Sequence, residues 1–200
     1  MKYVYLYRII FLLILLFSIM KKNILVLTGS FRKNGNSDLM AEAFIKGAQE
    51  AGHDVTKVET AFKSFNVCKA CKQCYSNGKA CPFDDAFSEL APNILNADVI
   101  VISTPLYWFT FPSQLKAALD KFYSFMVGEK SIKMKESLLL VCGEGEDKST
   151  FKGLIKSYDM MADYCGWTNK GSIIAAGVGD KGEILKTDLL DKIEKTGHYI

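Results

Sequence analysis

The sequence predicts a doubly wound α/β domain, and three observations carry that reading. Five short apolar runs recur through the chain, each closed by a small or polar residue. Between them lie segments with apolar residues at helical spacing, and no internal repeat or low-complexity linker breaks the alternation. Strands joined through helices by right-handed crossovers run parallel, with helices on both faces of one sheet.

The elements follow in order. "KNILVLTG" (22–29) reads as a strand buried on both faces. "NSDLMAEAFIKGAQEAG" (36–52) is a helix with Leu39, Ala43, Phe44, Ala48 and Ala51 on one side, Asn36 or Ser37 as N-cap and Gly52 as its stop. "DVTKVET" (54–60) alternates apolar and polar residues as a second strand, and a cysteine-rich loop follows it. Residues 84–97 form a helix bent or interrupted by Pro92, with Asp84 and Asp85 as caps. "DVIVIST" (98–104) is the third strand, and residues 112–128 are a helix opened by Pro112 and closed by Gly128. Lys116 and Asp120, one turn apart, are expected to form a surface or interface pair. "ESLLLVCG" (136–143), a helix over 150–166, the strand "GSIIAAGV" (171–178) and a closing helix complete the chain.

Residues 3–20 are apolar apart from Arg8 and Ser18. As a helix they would span roughly 27 Å at about 1.5 Å per residue, close to the roughly 30 Å core of a bilayer. Two readings stay open: a signal anchor, or a start extended upstream of Met20, where "MKKNILVLTGS" resembles a complete protein beginning. A cleaved signal is disfavoured, because no small-x-small site lies before Lys21. The folded domain is therefore placed at 21–200.

The 200 residues carry 25 basic and 22 acidic side chains, a formal charge of +3. Without Lys2 and Arg8 the balance is close to neutral, and no basic stripe marks a nucleic-acid partner. Four of the six cysteines fall within residues 68–81. That clustering fits metal or redox chemistry in a reducing, cytoplasmic setting rather than a secreted disulfide framework; membrane association through residues 3–20 is the alternative.

In such sheets ligands bind beyond the carboxyl ends of the strands. The loop after the first strand, "TGSFRKNGNSD" (28–38), lacks both G-x-G-x-x-G and the triphosphate-binding P-loop pattern. It offers Ser30, Arg32, Asn36 and Ser37 at a helix N-terminus, a setting suited to a monophosphate. After the third strand, "STPLYWFTFPSQLK" (103–116) brings Tyr107, Trp108, Phe109 and Phe111 to the ligand edge, where a flat aromatic ligand could pack or where they could cover the core or a dimer interface. After the fourth, "CGEGEDKST" (142–150) has glycines that permit close backbone approach. Phosphate cradle, aromatic loop and glycine loop together suggest FMN.

Those motifs, with the cysteine loop and the "DD" at 84–85, resemble the NADPH-dependent FMN reductase family of the flavodoxin-like superfamily. Within it the chain looks most like the iron-sulfur flavoprotein branch, although it carries Ala70 where many relatives have glycine. The resemblance implies a flavodoxin-like sheet in the order 2-1-3-4-5, the topology the flavodoxins themselves exemplify, with FMN at the switch between the first and third strands. It implies that Ser30, Arg32, Asn36 and Ser37 hold the phosphate, that Pro105, Leu106, Tyr107 and Trp108 line the isoalloxazine, and that Gly143, Glu144, Gly145 and Glu146 border the ring. It also implies a homodimer or homotetramer, with the flavin near the subunit border.

The expected activity is electron transfer from NADPH or NADH through FMN to a quinone, flavin or other small acceptor, with no side chain needed as catalytic acid or base. A non-enzymatic carrier exchanging electrons with ferredoxin is the rival; flavodoxin proper is disfavoured by the near-neutral charge. Cys68, Cys71, Cys74 and Cys81 could supply four thiolates to a [4Fe–4S] cluster, bind zinc, or pack as small apolar thiols, and all three stay open. Cys142 and Cys165 are expected in the core, and His53 and His198 at the surface.

Overall fold

A computed structural model describes residues 21–200, so both readings of residues 1–20 lie outside the described residues. Strands β1 (Asn23–Thr28), β2 (Asp54–Glu59), β3 (Val99–Pro105), β4 (Glu136–Cys142) and β5 (Thr168–Ala175) form one sheet in the order β2-β1-β3-β4-β5. Every pairing is parallel, as expected. The inner strands β1, β3 and β4 are buried along almost their whole length, which is why they read as unbroken apolar runs.

Side-chain alternation divides the core into two layers. Ile24 and Val26 of β1 face α1 (Asn36–Glu50) and α6 (Leu189–His198), packing with Phe44 and Ile193. Leu25 and Leu27 face the opposite layer, with Phe87, Leu115, Phe125 and Tyr158. Those residues belong to α2 (Phe87–Asn96), α3 (Ser113–Asp120), α4 (Tyr123–Val127) and α5 (Lys152–Tyr164). Helices α1 and α6 meet backbone to backbone: a Cβ at Gly47 would lie 1.9 Å from the Glu194 carbonyl oxygen, and one at Gly197 would lie 2.2 Å from that of Phe44. Only glycine permits that approach.

Several elements depart from expectation. Helix α2 begins at Phe87 and runs through Pro92, which sits on its solvent side. Its N-cap is Ala86 rather than Asp84 or Asp85: the Asp85 carboxylate accepts the Phe87 N–H at 2.9 Å from one position earlier, whereas Asp84 pairs with Lys79 at 3.1 Å. The expected single helix over 112–128 is split into α3 and α4, because Lys121 and Phe122 donate to Ala118 and Leu119, three residues back, and tighten the turn. Strand β5 starts and ends three residues before the expected run. Its opening Thr168–Lys170 is polar and exposed, as an edge strand permits, so the apolar pattern marks only its second half.

His53 is not at the surface. It is 4% exposed, with Nδ1 accepting the Lys22 N–H at 3.2 Å. The turn at Gly52 (φ 91°) and the bond from the His53 N–H to Ala48 (3.1 Å) fold the residue back beside α1. Burial pushes its pKa down, helped by Lys22 and then His198.

Candidate functional site

The carboxyl ends of β1, β3, β4 and β5 are brought level by the sheet register, which pairs Thr28 with Ser103, Pro105 with Cys142 and Cys142 with Ala175. Beyond them opens a cleft with about 650 Å³ of open space. Ser30, Arg32, Asn36, Ser37, Pro105, Leu106, Tyr107, Gly143 and Glu144 line it, nine of the residues expected from the sequence.

The β1–α1 loop is a tight turn. The Ser30 hydroxyl accepts the Arg32 N–H at 3.0 Å, and the Gly35 N–H returns to the Arg32 carbonyl at 2.9 Å. A Cβ at Gly35 would lie 2.8 Å from that same carbonyl oxygen. Gly35 is the N-cap, not Asn36 or Ser37, because both side chains already lie within the buried first turn. The Leu39 N–H makes the first helical bond, to Gly35, so the N–H groups of Asn36, Ser37 and Asp38 have no intrahelical acceptor. They sit at the positive end of the helix, beside the cleft. Asp38 does not cancel that field toward the cleft: its carboxylate accepts the Asn34 N–H at 2.8 Å and pairs with Lys57 at 2.6 Å.

The Asn36 side chain is engaged elsewhere than expected. Its amide donates to the carbonyls of Val178 (3.2 Å) and Asp180 (2.8 Å) and accepts the Ile184 N–H (3.2 Å). Arg32 Nη1 donates to the Gly179 carbonyl of the same segment at 3.0 Å. Val178 and Gly179 therefore form a cleft wall that the sequence reading missed. Its signal was present in the glycines at 177, 179 and 182, just past the last strand, two of which have positive φ (71° and 83° at 177 and 182).

Cys142 is buried, as expected of a core cysteine, and it also floors the cleft. Burial pushes its thiol up to about 12, against a hydrogen bond with Ser37 and the charge of Arg32. On the opposite wall the Leu106 N–H donates to the Cys142 carbonyl at 2.8 Å. Tyr107 and Thr110 exchange two backbone bonds of 3.0 Å, leaving Trp108 (φ 47°) and Phe109 (φ 64°) as the tip of a two-residue turn of the mirror-image type. That tip projects: Trp108 is 92% exposed and does not line the cleft. Gly145 and Glu146 also lie outside the wall, since the Gly145 carbonyl accepts the Gly177 N–H at 3.0 Å and turns the loop toward β5.

The cysteine loop, a stretch without strand or helix, closes a second and much tighter pocket against Lys121, Tyr123 and Ser124, with a cavity volume of about 30 Å³. Asp85 ties one end of the stretch, accepting the Asn66 N–H at 2.8 Å and forming an ion pair with Lys121 in which both side chains are almost wholly buried. Tyr75 ties the middle, its ring lying where a Cβ on Gly128 would come within 2.1 Å, with Lys130 Nζ 5.0 Å above the ring. Cys68, Cys71, Cys74 and Cys81 all line this pocket, together with Lys69, Lys72 and Lys121 and no carboxylate. All four are free thiols. Burial raises the Cys74 thiol first, and the neighbouring Cys71, Cys81 and Cys68 raise it further. Among the described residues no three Cys, His, Asp or Glu side chains are gathered tightly enough to hold a metal ion, so the thiols share a pocket without forming a ready ligand set.

No helix among the described residues is long and apolar enough to cross a membrane. Several curated relatives are named iron-sulfur flavoproteins. That of Archaeoglobus fulgidus is 31% identical over 46% of this chain and 42% of its own length. That of Methanosarcina thermophila is 27% identical over 68% of this chain and 70% of its own. The chain thus spans less than half the length of the first. Among solved structures, an NAD(P)H:quinone oxidoreductase from Methanothermobacter marburgensis superposes with a TM-score of 0.70 at 18% identity, over 90% of this chain and 96% of that one, which establishes a shared fold. The profile of the family described as NADPH-dependent FMN reductase matches residues 22–161, and the chain belongs to that family.

Proposed function

We propose that this chain is an NAD(P)H-dependent FMN oxidoreductase whose cleft holds the flavin and passes electrons from the nicotinamide to a quinone, a flavin or another small acceptor. The observation that carries the reading is the positive end of α1 opening on a cleft with an apolar wall at Pro105–Tyr107. FMN bound there would supply the hydride acceptor and electron store.

The residues present fit that group. The N–H groups of Asn36, Ser37 and Asp38, the hydroxyls of Ser30 and Ser37 and the Arg32 guanidinium would hold the phosphate. Asn36 contributes through its backbone, while its side chain braces the 178–184 wall. Pro105, Leu106 and Tyr107 would lie against the ring, and Gly143 would let the backbone approach it, with Glu144 beside it. Trp108, at the exposed turn tip, is placed to meet an acceptor or a second copy of the chain in the dimer or tetramer the family resemblance implies. No side chain is assigned as acid or base, because hydride transfer to a flavin needs none.

An ultraviolet–visible spectrum under anaerobic conditions tests this. A two-band flavin spectrum bleached by NADPH or NADH, with parallel initial-rate plots against the quinone menadione, is expected. A protein that carries FMN and is bleached by neither nucleotide overturns it.

The cysteine pocket favours a second component. Four thiols, three lysines and no carboxylate on one pocket suit a polyanionic [4Fe–4S] cluster better than zinc or apolar packing. In that case the protein could exchange electrons with a carrier such as ferredoxin. Iron and acid-labile sulfide near four of each per chain would support the cluster, and their absence from anaerobically purified protein would remove it.

A further inference from the structure

Lys121 is an unusual residue for the cysteine pocket to contain. Its side chain is 3% exposed, and its ammonium is shared between Asp85 and the sulfur of Cys81, 3.8 Å away. Asp85 is itself held by two backbone donors, the N–H groups of Asn66 and Phe87, so the carboxylate is fixed and the ammonium with it. Of its three protons, two are accounted for by Asp85 and Cys81, and the Phe87 ring centroid lies 5.7 Å from the nitrogen on the core side. One turn later, on α4, Ser124 is 3% exposed and lines the same pocket, and its hydroxyl has no hydrogen-bond partner. An apolar thiol loop would need neither donor. A buried ammonium costs desolvation, and an unpartnered buried hydroxyl costs a hydrogen bond. Both make sense if the pocket holds sulfur that carries net negative charge.

We propose that Lys121, pinned by Asp85 and assisted by Ser124, is a positioning residue that orients Cys81 and stabilises the reduced, more negative form of a sulfur centre in the pocket. The inference rests on the cluster reading above and adds to it the groups that set the potential. A positive charge and an N–H donor beside a ligand sulfur favour the added electron, so they raise the midpoint. Lys69 and Lys72 also line the pocket, but they are exposed and screened by water, so their influence is smaller.

The test is an EPR-monitored redox titration of full-length protein purified anaerobically and reconstituted with ferrous iron and sulfide. FMN content is recorded in parallel as the measure of an intact domain. K121M is expected to lower the cluster midpoint by about 59 mV, a tenfold change in a one-electron equilibrium. K121R should keep most of the wild-type value, and S124A should shift it downward by less than K121M. Because K121M leaves Asp85 buried without its partner, K121M/D85N is the second variant: it removes both charges, and its midpoint should still fall, by less. A wild-type cluster whose midpoint is the same in K121M, K121M/D85N and S124A overturns this inference alone. Wild-type protein that takes up no iron or sulfide overturns the cluster reading and this inference with it. Protein that holds the cluster but no FMN overturns the oxidoreductase reading and leaves the midpoint comparison to decide this one.

Discussion

The cleft and the cysteine pocket are built by opposite means. The cleft is a by-product of the sheet: strand ends brought level by register, with a helix N-terminus and backbone carbonyls fixed by the ladder. The pocket has no ladder behind it and keeps its shape through a few side-chain ties, chiefly Asp85–Lys121 and Tyr75 on Gly128. The first arrangement suits a ligand recognised through backbone groups. The second suits a group that supplies part of its own scaffolding, since the thiols share a wall without converging.

That contrast can be broken most forcibly at the α1–α6 crossing. Gly47→Ala drives a methyl into the Glu194 carbonyl, and separating two helices should cost about 3 kcal/mol in urea unfolding, loosening cleft and pocket together. Asn36→Ala sharpens the comparison by acting on the cleft alone. Losing three hydrogen bonds to the 178–184 segment should cost about 2 kcal/mol and weaken FMN binding about tenfold by fluorescence titration. Gly128→Ala is the mirror experiment. It displaces the Tyr75 ring at about 1 kcal/mol, speeds limited proteolysis within residues 66–83, and leaves the FMN dissociation constant unchanged.

The smallest effect lies at the opposite end of the sheet from both regions. The lowered pKa of His53 means that the unfolded chain takes up a proton the folded one refuses. Stability should therefore fall as pH drops through the unfolded value of about 6.5 toward the lower folded value, and level off below it. His53→Gln, which keeps an acceptor for the Lys22 N–H, should flatten the change in urea midpoint between pH 7.5 and pH 5.5; an unchanged slope would assign the acid sensitivity to another group.

What the sequence made legible was whatever strong periodicity or loop composition records. The inner strands could be read because burial on both faces removes any competing pattern, and the 28–38 loop because its donors are local in sequence. Asn36 was nominated for the phosphate from its local sequence, which could not show that its side chain is engaged by partners more than a hundred residues away. Lys121 was invisible for a similar reason: within "LDKF" it looks like a surface lysine, and its buried partner Asp85 lies 36 residues earlier in the chain. The split between α3 and α4 comes from local bonds three residues back, and the early start of β5 from its pairing with β4; propensity encodes neither.

The brace at Asn36 has a consequence for where this domain ends. The family profile stops at residue 161, and every residue the sequence nominated for the flavin lies before that point. A chain cut there would retain the whole nominated set and still lose Val178 and Gly179, along with the acceptors that occupy Asn36 and Arg32. The same cut removes β5, which pairs with β4, and α6, which packs against α1. The shortest segment that can be expressed as a flavin-binding unit is therefore longer than the segment by which its kinship is detected.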